Sequence, residues 1–209
     1  MRGTLFRIPP VALAVSLVGG SFVLPRIPMP WRMLLQLGAG GLLPVAARAP
    51  LGLRPPRLWR GLRVGLPVAA VATAAVAATT AVPLARSVLA ARELPGSAIH
   101  WLAVQIPLGT VWAEEIAFRA ALGRLAADAF GPAAGRVVQA AAFGMSHIAD
   151  ARGTGAPVAP TVLVTGVAGW LFGWLAERAG SVAAPMLLHL ALNEAGAVAA
   201  LTVQRRTGR

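Results

Sequence analysis

The chain has 209 residues, of which 57% are hydrophobic and only 12% charged, with a mean hydropathy of +0.70. A soluble domain carries about 25% charged residues, so this supply cannot cover a water-soluble surface of that size, and the composition favours a membrane domain over a soluble enzyme. The basic excess, 19 residues against 7 acidic for a net charge of +12, is wholly arginine, and the absence of cysteine excludes disulfides, thiolate metal sites and cysteine nucleophiles.

Crossing the hydrocarbon core takes about 20 apolar residues. The first candidate span covers residues 9–25. Two arginines precede it, as in a signal peptide, but no small-x-small cleavage site follows Phe22-Val23-Leu24-Pro25, so it is read as uncleaved. Residues 31–47 form a second run, interrupted by Gly38, Gly40 and Gly41. A loop from Arg48 to Arg63 then holds Arg48, Arg54, Arg57, Arg60 and Arg63, a cluster that predicts a cytoplasmic position. Further spans are expected at residues 64–84, 98–122, 132–149, 158–177 and 181–203, followed by a basic tail at 204–209. With seven spans that tail falls opposite the Arg48–Arg63 loop, although its arginines prefer the same side.

The expected architecture is all-α, a polytopic transmembrane helix bundle of about seven spans in a cell membrane. Residues 1–97 supply N-terminal helices and the Arg-rich loop, and residues 98–203 supply a second bundle. The runs are too long and too rich in alanine for a membrane barrel, which needs two-residue alternation. Because the arginines lie mostly in short gaps between apolar runs, the lipid bilayer and its anionic headgroups are the expected partner, and no nucleic acid is.

An ionisable residue at membrane depth is costly and marks function by default. Four clusters qualify. In the fourth span, Glu114-Glu115-Ile116-Ala117-Phe118-Arg119 places Glu115 and Arg119 four apart, on one helix face and in the favourable order for an ion pair. Glu114 lies about 100° around the helix without a local cation, which makes it the candidate base. In the fifth span, Phe143 and His147 share a face. Ser146 beside them is not in a nucleophile elbow, because Ile148 stands where the second glycine is required. In the last span, His189 and Asn193 are four apart. Gly166, Gly169 and Gly173 of the sixth span form a packing surface for another helix, flanked by Trp170 and Trp174 facing lipid or headgroups. His100, beside Trp101, reads as an interface anchor outside the site.

Each cluster alone also has a plain reading: an acidic helix end, a snorkelling histidine, or hydrogen-bonding glue between helices. Polar groups on neighbouring spans must, however, meet in the bundle interior. One carboxylate, two imidazoles and one carboxamide can there perform hydrolysis. Glu114 and His147 hold and deprotonate a water, while His189 and Asn193 donate to the oxyanion formed on a peptide carbonyl.

The ordered motifs Glu-Glu-x-x-x-Arg, Phe-x-x-x-His and His-x-x-x-Asn, each in its own apolar helix, resemble the CAAX prenyl protease and bacteriocin-processing family. These are glutamate-type intramembrane endopeptidases, sometimes called the Abi family. The approach Gly180-Ser181-Val182-Ala183-Ala184-Pro185-Met186-Leu187-Leu188-His189 is also similar. The resemblance covers about residues 98–200. It implies that Glu114 is the general base, that His147 helps activate water, and that His189 and Asn193 form an oxyanion hole. Glu115, Arg119 and Phe143 would support them. It implies a peptide or membrane-protein substrate, such as a prenylated C-terminal or a leader peptide, and no cofactor.

Rival readings use the same residues. Glu114, His147 and His189 are a valid catalytic zinc set, although His-Glu-x-x-His is absent. A non-catalytic scaffold or immunity-type protein could keep the bundle without cutting. A transporter would need matched repeats or broken helices, which the sequence does not display. Substrate identity and oligomeric state are not legible.

Overall fold

A computed structural model describes residues 9–206 and 208 of the chain. The arginines expected before the first span, Arg2 and Arg7, and Thr207 and Arg209 of the basic tail lie outside the described residues. Among the described residues the structure is predominantly helical and contains no strand, so the all-α bundle is what forms.

Four of the helices carry a proline at their first or second position, as expected where the missing N–H is an orphan in any case. Helix α1 spans Pro10–Val23, α2 spans Met29–Ala46, α3 spans Arg57–Thr79, and α4 is the short Pro83–Ala91. Helix α5 runs without interruption over residues 98–130. Two of its stretches, Trp101–Trp112 and Glu115–Leu122, are π-helical. Helices α6 (Pro132–Ser146), α7 (Ile148–Thr154), α8 (Val158–Ala179) and α9 (Ala183–Arg206) complete the chain.

Several boundaries differ from the sequence reading. The third span begins at Arg57, not at residue 64, so Arg57, Arg60 and Arg63 occupy the first turns of α3 and the arginine loop is shorter than expected. The fourth continues to residue 130. The fifth breaks at His147, so α6 and α7 are separate helices. By length and composition, Arg57–Thr79, Val158–Ala179 and Ala183–Arg206 can cross a membrane, and Pro10–Arg26 is a shorter apolar segment. Large apolar side chains such as Val71 and Leu163 stand 70% and 68% exposed, a costly arrangement in water and a neutral one in lipid. With its helices this apolar, the chain is a membrane protein.

Small residues decide how closely the helices approach. A Cβ on Gly144 of α6 would lie 2.6 Å from the Val162 carbonyl of α8, and one on Gly169 would lie 2.8 Å from Phe143. The glycine face of the sixth span thus receives α6, as its spacing predicts. A second face of this kind was not anticipated. Gly61 and Gly65 of α3 pack on the start of α9, where a Cβ on Gly65 would lie 2.9 Å from Ala184 Cα. Lipid tails are as apolar as leucine, so this close packing, rather than apolar burial, holds such helices together. The interior cluster draws Ala117, Phe118 and Leu122 from α5, Phe143 from α6, Phe172 and Leu175 from α8, and Leu188 from α9.

Candidate functional site

Helix α5 presents two adjacent carboxylates to one imidazole. Glu115 is buried in the π-helical stretch, and its Oε1 accepts a 2.8 Å hydrogen bond from His189 Nδ1 of α9. Glu114, at the seam just before that stretch, turns its Oε2 toward the other ring nitrogen, 3.9 Å from Nε2. π-Helical turns, with their i→i+5 bonding, recur at functional sites. Here the π stretch begins at the residue that anchors the histidine.

Behind this contact lies Arg119, whose Nε is 3.2 Å from Glu115 Oε2. The ion pair expected from the four-residue spacing is therefore present, and both side chains are buried. The guanidinium nitrogens of Arg119 have no hydrogen-bond acceptor among the described residues. Instead the group lies over aromatic rings, 3.9 Å from the Phe143 centroid and 4.8 Å from that of Phe172. Desolvated cation–π contacts of this kind contribute about 2 kcal/mol. Glu115 thus holds one cation through one oxygen and His189 through the other.

His147 sits where α6 ends. Its backbone N–H bonds to Gly144 O and Met145 O, and its Nδ1 lies 2.8 Å from Phe143 O. A carbonyl only accepts, so Nδ1 carries the hydrogen and Nε2 is the free nitrogen. The same logic fixes His189, because the Glu115 carboxylate accepts from Nδ1. The Phe143 ring lies against both imidazoles, with centroids 4.7 Å from His147 and 6.2 Å from His189. Phe172 stacks on His189 at 5.0 Å with an interplanar angle of 28°.

Glu114, Phe143, His147, His189 and Asn193 all line one cavity of about 670 Å³. Three separate helix segments of the expected 98–203 region thereby bring the candidate residues to a common space, with Glu115 and Arg119 packed behind its wall. The opposite wall comes from α1 and α2, with Leu17, Arg32 and Gln36 among its residues. One of the two oxygens of Glu114, Oε2, is buried and makes no hydrogen bond. Among the described residues no group of three His, Asp or Glu side chains is arranged to hold a metal ion.

Sequence reasoning missed Phe172, which lies within the glycine face read as packing alone; aromatic character inside a small-residue stripe was the available signal. It also missed the cavity wall from the N-terminal helices, whose residues match no motif. Ser146, outside any elbow pattern, bonds to the Phe143 carbonyl at 2.8 Å. Glu194, beside Asn193 in sequence, is absent from the cavity lining, as its position on the helix predicts.

The comparisons with known proteins point to the same segment. No curated protein and no solved structure matches the chain. A family model does match, and its matched segment contains every motif position from Glu114 to Asn193. The match covers residues 96–195 and is to the family described as type II CAAX prenyl endopeptidase Rce1-like.

Proposed function

We propose that the protein is a multi-pass intramembrane endopeptidase of the cell membrane that hydrolyses a peptide bond with a water activated by Glu114 and His147. The observation that carries this reading is Glu114 Oε2, a buried carboxylate oxygen with no hydrogen bond, at a cavity shared with two imidazoles and a carboxamide. A buried acceptor left unsatisfied is costly, and a bound water removes that cost. The match of residues 96–195 to the Rce1-like endopeptidase family model supports a peptidase.

In this mechanism the water donates one hydrogen bond to Glu114 and one to His147 Nε2. Glu114 takes a proton as the oxygen attacks the scissile carbonyl. The resulting oxyanion receives hydrogen bonds from the Asn193 amide and from His189 Nε2 when that ring carries both hydrogens. Collapse expels the amine, which takes the proton from Glu114. Glu115 keeps the His189 ring turned so that Nε2 faces the reaction. No cofactor is invoked. The substrate class is a membrane-associated peptide, either a prenylated C-terminal peptide or a leader peptide.

Glu114→Gln changes almost no volume and removes the base. In proteoliposomes with a quenched prenylated peptide, it is expected to lower kcat by at least about 100-fold, since general base catalysis contributes about 10²–10⁴. Full activity in this variant would overturn the hydrolytic reading in favour of a non-catalytic scaffold. A loss of wild-type activity on chelation, restored by zinc, would favour a metallopeptidase instead.

A further inference from the structure

The three helices long and apolar enough to cross a membrane, α3, α8 and α9, each bring one end to a common surface: the start of α3, the end of α8 and the start of α9. Residues 47–56 cross that surface and are pinned to it. Val182 N–H donates to Leu51 O at 3.0 Å, and Ser181 Oγ donates to Gly52 O at 2.8 Å. Gly52 has a φ of +66°, and a Cβ on it would run into the Gly180 carbonyl. The α2–α3 loop and the α8–α9 turn therefore form one clamp.

Four exposed arginines surround this clamp. Arg54 and Arg57 line a recess of about 410 Å³ in the loop. Arg60 reaches the turn, its Nη1 3.7 Å from where a Cβ on Gly180 would stand, and Arg178 precedes that turn by two residues. None of the four has an ion-pair partner among the described residues. The acids at this end of the bundle are already engaged, Asp128 with Arg124 at 2.9 Å and Glu177 with Arg136 at 3.0 Å. Arg57 and Arg60 stand one turn apart, where like charges repel, so the cluster calls for an anion. Its depth says which. Trp59 lies between them in sequence and is 54% exposed, and Trp174, one turn before Arg178, is 40% exposed. Tryptophan settles at the headgroup level of a bilayer, so these guanidinium groups stand among lipid phosphates.

We propose that Arg54, Arg57, Arg60 and Arg178 form a saturable site for the phosphate of one anionic phospholipid, and that its occupancy steadies the clamp at the start of α9. Basic flanks in general are attracted to a negative leaflet diffusely. Here the pinned loop fixes the geometry, and a guanidinium fork can hold two phosphate oxygens at once. The effect reaches the cavity because His189 and Asn193 follow on the same helix, about two and three turns after Ser181. That consequence for activity rests on the peptidase reading; the lipid site does not.

Binding is read first, by native mass spectrometry of the full chain in detergent with added phosphatidylglycerol or phosphatidylcholine. The wild type should retain one phosphatidylglycerol, with a Kd at least about 25-fold below that for phosphatidylcholine, taking about fivefold from each of two arginines. Arg57→Gln with Arg60→Gln should abolish that preference, and Arg57→Lys with Arg60→Lys should retain part of it. Arg86→Gln with Arg205→Gln removes the same charge at the opposite end of the bundle and should leave the preference intact. Equal affinity for the two lipids overturns the site, as does an equal loss in the Arg86 and Arg205 variant, which would show attraction by net charge alone. Displacement of the lipid by inorganic phosphate at matched concentration would show a free-anion site and likewise overturns the proposal. Cleavage is read second, in vesicles with and without phosphatidylglycerol. That lipid should raise kcat/KM by about fivefold, the low end of a coupling between two sites, in the wild type and not in the Arg57 and Arg60 glutamine variant. Cleavage indifferent to the lipid despite intact binding overturns the coupling to α9. Selective lipid binding by a wild type that cleaves in neither vesicle sinks the peptidase reading and leaves the lipid site standing.

Discussion

His189 has each ring nitrogen facing a carboxylate from consecutive residues of one helix, at 2.8 and 3.9 Å. The closer of these, Glu115, also neutralises Arg119, so His189 and Arg119 share a single buried oxygen pair. Removing either member of the Glu115–Arg119 pair leaves an unpaired buried charge. Glu115→Gln or Arg119→Met alone should therefore lower stability by about 3–5 kcal/mol, while the double variant should recover much of that loss. Unfolding in detergent would measure this, and single variants within about 1 kcal/mol of wild type would refute the coupling. For Asn193, the expected effect lies in rate. Asn193→Ala should cut kcat by about 10²–10³ with little change in thermal midpoint, as for loss of one oxyanion donor. An unchanged kcat would remove it from the mechanism.

At the level of helices, close approach through glycine sets the frame that carries these side chains. Phe143 can lie against both imidazoles only because Gly169 admits its ring. Gly144→Val would drive a side chain into the α8 backbone, at a cost of about 1–3 kcal/mol from overpacking, and would displace His147 three residues later. By contrast nothing lies within 4 Å of a Cβ on Gly38, so Gly38→Ala should stabilise α2 by up to about 1 kcal/mol. A comparison of thermal midpoints in one detergent distinguishes the two. If the valine is tolerated as well as the alanine, α6 and α8 are not packed as described. The α6–α7 break belongs to this scale too, since it makes His147 a helix-terminal residue with a free Nε2 rather than a mid-span one.

Taken whole, the molecule is asymmetric in charge. Arg54, Arg57, Arg60 and Arg63 gather at the start of α3, and such clusters stay on the cytoplasmic side. Because the chain has no cysteine, a single Arg54→Cys substitution provides a unique label at an exposed position. A membrane-impermeant maleimide should modify it in inverted vesicles and not in intact cells. The reverse result would invert the assigned orientation. The N-terminal helices act at this scale as the far wall of the cavity that Glu114 and His189 line, although no motif marks them.

The helical membrane class follows from composition and the length of the apolar runs, because so few charges cannot cover a water-soluble surface and the runs lack the alternation of a barrel. The order of the three motifs was likewise legible, since charge inside an apolar run stands out residue by residue, and Glu115 with Arg119 could be paired from helical spacing. Which carboxylate takes which nitrogen of His189 was not, because that depends on the separation of α5 and α9 and on a π-helical stretch that no local preference announces. Nor could the sequence place Phe172 on an imidazole or Arg32 in the same cavity as Glu114. Those juxtapositions arise from glycine contacts and helix register between segments distant in the chain, and spacing along one helix carries no information about the face of another.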